Sequence, residues 1–188
     1  MAISERSQGA GGRYPFFARI MHWGMAALVL ALIAAGFAMV QEGLPQATQN
    51  ALFVFHKNAG LLVLLAVLVR LAYRMANPPP PLPAAVGAAQ RRVAGLSHAA
   101  LYALMIAMPV LGHVRVKAGG FPIETLDAWG VPALVPRSDA LASAAKAAHF
   151  AGALALTALA ALHISAALYH AAVLRDGVFA RMGFGASR

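Results

Sequence analysis

The chain has 188 residues, 61% of them hydrophobic and 11% charged, with a mean hydropathy of +0.69. A soluble domain carries roughly a quarter charged residues, so this is the composition of a membrane protein. The absence of cysteine excludes disulfides, iron–sulfur clusters, covalently attached haem and thiolate zinc sites, and the formal charge of +9, placed at the ends of apolar runs, argues for membrane topology and against a nucleic-acid partner.

Residues 1–19 form a polar, Gly-rich N-terminal tail with Arg6, Arg13 and Arg19. The apolar run behind it is too long for a signal-peptide core and lacks a small-residue cleavage site, so it is expected to be a retained transmembrane helix. A spanning helix needs about 20 apolar residues. Four stretches supply them: about Ile20 to Val40, Ala51 to Tyr73, Leu96 to Val116 and Ala147 to Leu174. A short polar turn with Gly43 and Pro45 joins the first two. The prolines Pro78 to Pro81 and Pro83 stop the second helix and stiffen the connector to the third. The longest loop, about Lys117 to Lys146, holds Gly119, Gly120, Pro122, Trp129, Gly130, Pro132 and Pro136, and is expected to be ordered but irregular. The predicted fold is all-α: an integral membrane four-helix bundle over residues 20–174, followed by a C-terminal tail over 175–188.

Orientation follows from the basic residues. One side collects Arg6, Arg13, Arg19, Arg70, Arg74, Arg91, Arg92, Arg175, Arg181 and Arg188. The other has Lys57, Arg115, Lys117, Arg137 and Lys146, diluted by Glu42, Glu124, Asp127 and Asp139. The positive-inside bias then puts both termini and the polyproline connector in the cytoplasm. In a Gram-negative bacterium the long loop would face the periplasm, with the protein in the inner membrane.

Four histidines, His22, His56, His149 and His163, lie inside the apolar stretches, where an imidazole is costly without a partner. His22 sits near the cytoplasmic start of the first helix; His56 and His149 sit near the periplasmic starts of the second and fourth. His163 lies four turns beyond His149, about 21 Å along the axis, and on the same helix face. The fourth helix therefore offers one imidazole to each of two stacked sites, His163 with His22 and His149 with His56. Low-spin haem iron takes two axial imidazoles, and its apolar macrocycle fills a gap between bundle helices. Gly24, Gly36, Gly60 and Gly152 would leave room for the ring, and Arg19, Arg70 and Arg74 are candidate partners for haem propionates. The residues thus point to two bis-histidine haems and electron transfer across the bilayer. Two other readings stay open: histidines that hydrogen-bond between helices, and a histidine-based metal or proton transporter. The transporter would lack a carboxylate inside any span.

Several segments together resemble the bacterial cytochrome b561 family. They are Ile20-Met21-His22-Trp23, Phe55-His56-Lys57-Asn58-Ala59-Gly60, Val69-Arg70-Leu71-Ala72-Tyr73-Arg74, Ala107-Met108-Pro109-Val110-Leu111-Gly112 and the His149/His163 pair. The resemblance runs from about Tyr14 to Arg181. It implies two haem b groups held by His22 and His163 on the cytoplasmic side and by His56 and His149 on the periplasmic side. It also implies electron exchange with ubiquinone, and superoxide oxidation as one activity within the family.

Superoxide would donate at the periplasmic haem, steered by a positive funnel of Lys57, Arg115, Lys117 and Lys146. Electrons would leave from the cytoplasmic haem to ubiquinone. The alternative is an electron-transfer subunit that links a partner dehydrogenase or hydrogenase to the quinone pool, docked on the long loop near Phe121 and Trp129. His170, two turns beyond His163, would meet a quinone or a haem propionate. His98 is expected to be a solvated or hydrogen-bonded residue at the start of the third helix. His113 is expected at the periplasmic interface, either as a bystander or beside a substrate path with Arg115 and Lys117.

Overall fold

The structure, a computed structural model, describes residues 12–184. Arg6, Arg188 and the outer parts of both expected tails (1–11 and 185–188) lie outside the described residues. Helix α1 is Phe16–Ala38, α2 Gln46–Ala76, α3 Ala88–Ala118, α4 Glu124–Ala128 and α5 Asp139–Tyr169, and α5 continues into one π-helical turn, His170–Leu174. A 3₁₀ turn, Phe179–Arg181, follows, and no strand is present among the described residues.

Four of these helices are long and apolar enough to cross a membrane. The predicted spans are all there, but the helices are longer than predicted. α2 begins at Gln46 and not Ala51, α3 at Ala88 and not Leu96, α5 at Asp139 and not Ala147. The reason is dimensional. A helix of 31 residues is about 46 Å long at 1.5 Å per residue, against a hydrocarbon core of about 30 Å. Hydropathy sees only the middle. The outer turns are polar and are fixed by local capping: the Gln90 side chain accepts from Gly87 N–H at 3.0 Å, and Ser138 Oγ accepts from Leu141 N–H at 3.3 Å.

The core is thin. Its buried residues are small or medium, among them Ala35, Ala59, Val63, Val67, Met108, Ala145 and Leu156. Large apolar side chains such as Leu30, Leu65, Leu68, Leu162 and Leu168 point outward. That inversion of the soluble pattern is what a lipid-facing surface requires. α1 packs on α2, α2 on α3, and α3 on α5 along extended backbone contacts. Between α5 and either α1 or α2, close backbone contact is at most marginal. The bundle is therefore two hairpins joined along the α2–α3 seam, with a gap between α5 and the first hairpin.

Each end is closed by a connector. At the end away from both termini (the loop face), the segment expected to be irregular contains α4, which is clamped to the mouths of α2 and α3. Lys57 Nζ meets Glu124 Oε1 at 2.5 Å and donates to Pro122 O at 2.7 Å. Asn58 donates to Glu124 Oε2 and accepts from Thr125 N–H, while Lys117 pairs with Asp127. At the opposite end (the terminal face), residues 176–184, expected to be tail, form a strap across the start of α1. Tyr14 N–H donates to Arg181 O, Arg19 to Gly183 O at 2.7 Å and Trp23 Nε1 to Met182 O at 2.9 Å. Arg181 is only 4% exposed; it donates to Gly12 O and to Pro80 O in the polyproline connector, and its guanidinium lies over the Tyr14 ring.

Burial alone would raise the Glu124 carboxyl, but the hydrogen bonds from Lys57 and Asn58 hold it below its ordinary value of 4.5. The hydrogen bond from Lys117 likewise holds Asp127 below its ordinary 3.8. Groups that titrate lower when folded stabilise the fold fully above their ordinary values and lose that contribution as pH falls through the lowered ones. Glu124→Gln is expected to weaken the clamp by about 1 kcal/mol, seen as faster proteolysis of the α4 loop at neutral pH. The unmodified protein should show the same loosening only when acidified below 4.5.

Candidate functional site

The gap between α5 and the first hairpin is bridged by side chains. At the loop face, His56 of α2 faces His149 of α5 with ring centroids 6.1 Å apart and planes at 72°. At the terminal face, His22 of α1 faces His163 of α5 at 6.2 Å and 71°. With a metal–nitrogen bond of about 2 Å and a ring centre about 1 Å beyond the nitrogen, two imidazoles on opposite sides of one metal have centroids roughly 6 Å apart. The two pairs match that span. Among the described residues no group of three or more His, Cys, Asp or Glu side chains is placed to hold a metal ion. A two-imidazole set suits an iron whose other four positions are filled by a macrocycle, and does not suit a bare structural ion.

Local sequence explains how the rings fit. A Cβ on Gly36 would lie 3.0 Å from His56 Cε1, and one on Gly112 would lie 3.3 Å from His149 Cε1. Each loop-face imidazole thus leans on a glycine of a neighbouring helix. Gly24 and Gly60, also predicted to make room, face open space, whereas Gly152 faces Met108 Sδ.

The outer nitrogens differ. His149 Nδ1–H donates to Met108 O at 3.0 Å, one residue before Pro109, which leaves Nε2 with its lone pair for a metal. His56 Nδ1 is buried, and its backbone neighbour is Leu32 of α1. Arg70 Nη2 lies 3.4 Å from His22 Nδ1, and Arg70 also donates to Tyr102 Oη and Ala18 O. Arg74 stacks over the Tyr102 ring at 6.0 Å. Arg70 and Arg74 thus line one cleft with Tyr14, Phe17, Tyr73 and Tyr102 at the terminal face. Arg19, the third propionate candidate, donates instead to the strap.

His98 departs from expectation. Because α3 begins at Ala88, His98 sits well inside the helix, and its ring packs against His163 with centroids 5.5 Å apart. The terminal-face site therefore gathers three imidazoles. Placing the helix start at Leu96 hid this from the sequence. His113 also lies inside α3, which continues to Ala118. His170 opens the π-helical turn and donates from Nδ1 to Asp176 Oδ2 at 2.6 Å, a pairing that helical spacing does not anticipate.

Of the four cations expected to form a funnel, Lys57 and Lys117 are held in ion pairs by Glu124 and Asp127. Arg115 and Lys146 have no ion-pair partner among the described residues, and Lys146 is exposed on α5. Arg137 lies in the same loop and, with Lys117, borders a shallow depression there.

Residues 13–185 match the family described as prokaryotic cytochrome b561. "Cytochrome b561 homolog 2" of Escherichia coli (strain K12) is 31% identical over 171 residues, covering 90% of each chain. A "Probable superoxide oxidase CybB" of Yersinia pestis is 27% identical over 169 residues, covering 86% of this chain and 90% of the relative.

The glycine contacts set a direct test of the site. Gly36→Leu should displace the His56 ring and lower bound haem per chain in the purified protein. The readout is the pyridine haemochrome absorbance measured against protein.

Proposed function

The chain belongs to the prokaryotic cytochrome b561 family, whose members are haem b electron-transfer proteins of the membrane, and from that premise we propose that it carries electrons from superoxide to ubiquinone. The observation that carries this reading is the pair of facing imidazoles at each end of α5. On it, His22 and His163 hold one haem b and His56 and His149 a second. Bound there, the haems supply reversible one-electron chemistry at two depths. The basic bias puts the terminal face in the cytoplasm and the loop face in the periplasm of the inner membrane.

The remaining work falls to the chain's own residues. Met108 O fixes the His149 tautomer, and Gly36 and Gly112 seat the loop-face rings. Arg115 and Lys146 keep unpaired positive charge at the loop face, where a small anion would arrive. Two superoxide anions each give up one electron and leave as dioxygen. One quinone takes both electrons and two protons to become quinol, and on this reading His170 exchanges one of those protons. The name of the Yersinia pestis relative supports superoxide as the donor.

A second reading, an electron-transfer subunit for a partner enzyme, is favoured by one observation. Phe121, Trp129 and Leu134 stand 65%, 70% and 77% exposed on the loop face. Such a patch suits a docked protein or the lipid interface.

Replacing one ligand should remove one haem and leave the other. His163→Ala and His149→Ala should each bind about half the normal haem, and loss of both haems from a folded variant would contradict the pairing. In stopped-flow absorbance at the haem α band, superoxide should reduce the oxidised protein rapidly and a short-chain ubiquinone should reverse it. Arg115→Gln should slow the superoxide step several-fold at low salt and less at high salt. A protein that is reduced slowly by superoxide would instead have a protein donor.

A further inference from the structure

The His170–Asp176 contact is the most complete polar pairing on α5 that the two imidazole pairs do not use. The side chains are 16% and 9% exposed, and the hydrogen bond is 2.6 Å long. Three local features bring Asp176 back to the helix end. The π-helical turn widens the last turn of α5, Arg175 adopts a left-handed conformation (φ 51°), and Gly177 continues the reversal at φ 81°. The carboxylate itself is fixed, since its Oδ1 accepts from Val178 N–H at 3.1 Å. Burial alone would raise this carboxyl, but the hydrogen bonds from His170 and Val178 hold it below its ordinary range, so it stays an acceptor.

Asp176 also belongs to the strap, and the strap is tied down independently. Arg13, Arg19 and Trp23 all donate to its carbonyls. The Phe179 ring of the strap packs edge-on to Trp23 at 6.4 Å, and Trp23 packs on His22 at 5.3 Å. One segment, tied at several points, therefore reaches from His170 to the side chain that packs edge-on to His22. An isolated surface ion pair would not need such an anchor.

We infer that Asp176, carried on this strap, is a positioning residue for quinone reduction: it fixes the tautomer and orientation of His170 so that Nε2 exchanges a proton with a bound quinone. The inference rests on the reading of His170 as the quinone-side residue. With Nδ1–H committed to Asp176, Nε2 is the one ring nitrogen left for another partner. When it carries a proton it donates to a quinone oxygen. As the quinone takes up its two electrons, that proton passes to the quinol oxygen, Nδ1–H stays with Asp176, and solvent restores the proton to Nε2 once the quinol has left. The second proton of the quinol comes from solvent at the other oxygen. An asparagine at 176 would present either an amide N–H or a weaker acceptor, and would release the ring.

The test uses the haem-loaded protein, reduced by stoichiometric dithionite and mixed with a short-chain ubiquinone, with reoxidation followed at the haem α band. Asp176→Asn is expected to slow reoxidation at saturating quinone by roughly ten- to hundred-fold. The half-saturating quinone concentration, haem per chain and haem midpoint potentials should stay near normal. Asp176→Glu should recover part of the rate, and it carries the test if the asparagine variant loses haem. His170→Gln should be equally slow, and the double variant no slower than His170→Gln alone, because the two act as one unit. A normal rate for Asp176→Asn alongside a slow His170→Gln overturns the inference and leaves the quinone-side reading standing. Multiplicative losses in the double variant also overturn it. A normal rate for His170→Gln removes the reading and the inference together.

Discussion

An imidazole inside an apolar bundle is costly wherever a ring nitrogen lacks a partner, on the order of a kcal/mol or more. Helix α5 carries three such rings, His149, His163 and His170, and each is met by different elements. His149 meets α3 through Met108 O and α2 through His56. His163 meets α1 through His22 and α3 through His98, and His170 meets the strap through Asp176. Yet the backbone of α5 packs extensively on α3 alone among the other spanning helices. The first hairpin has to reach α5 through its histidines. That separates the backbones by a gap of the kind a flat macrocycle would fill, and it explains why so few residues in this chain are buried. Its core is completed by whatever stands between the rings.

The two ends of the bundle are closed by different chemistry, and the difference follows from where the acids are. At the loop face Glu124 and Asp127 are available, and Lys57 and Lys117 pair with them. At the terminal face the one described carboxylate, Asp176, is taken by His170. The arginines there use backbone carbonyls: Arg70 bonds to Ala18 O, Arg91 to Val86 O and Pro83 O, Arg175 to Ala172 O, and Arg181 to Gly12 O and Pro80 O. The guanidinium fork, with five donors, is suited to gathering carbonyls from several segments. This is how the polyproline connector, the start of α1 and the strap come to share Arg181.

The spans were legible in the sequence because about 20 apolar residues in a row have few other uses, and the end of the bundle at which each histidine pair meets followed from the positions of the rings along alternating helices. The 14-residue interval between His149 and His163 was the strongest single signal, since it places both on one face whatever the rest of the fold does. Helix ends were not legible, because their polar turns carry no hydropathy, and that misplacement is what made His98 look like a terminal residue. The strap was invisible for a different reason. Its bonds run to carbonyl oxygens, which every residue carries, and Asp176 reaches His170 through a π-helical turn and a left-handed residue that no periodic pattern announces. The clamp had a visible part in the acids of the long loop, but their partners on α2 and α3 were fixed only by three-dimensional contact.

The carbonyl bonds at the terminal face also leave its positive charge in place. A carbonyl satisfies an arginine's donors without cancelling its charge, whereas Glu124 and Asp127 cancel the lysines they bind. The terminal face keeps nearly all its positive charge, and the loop face keeps only that of Arg115, Arg137 and Lys146 among its described cations. The pairing of Lys57 and Lys117 narrows the attraction that the loop face can exert on an approaching anion to three side chains, of which Arg115 sits on the last turns of α3 and Lys146 one turn before His149 on α5. If superoxide is the donor, its steering is local, directed at one site by a few charges, and not a field spread across the whole outer surface.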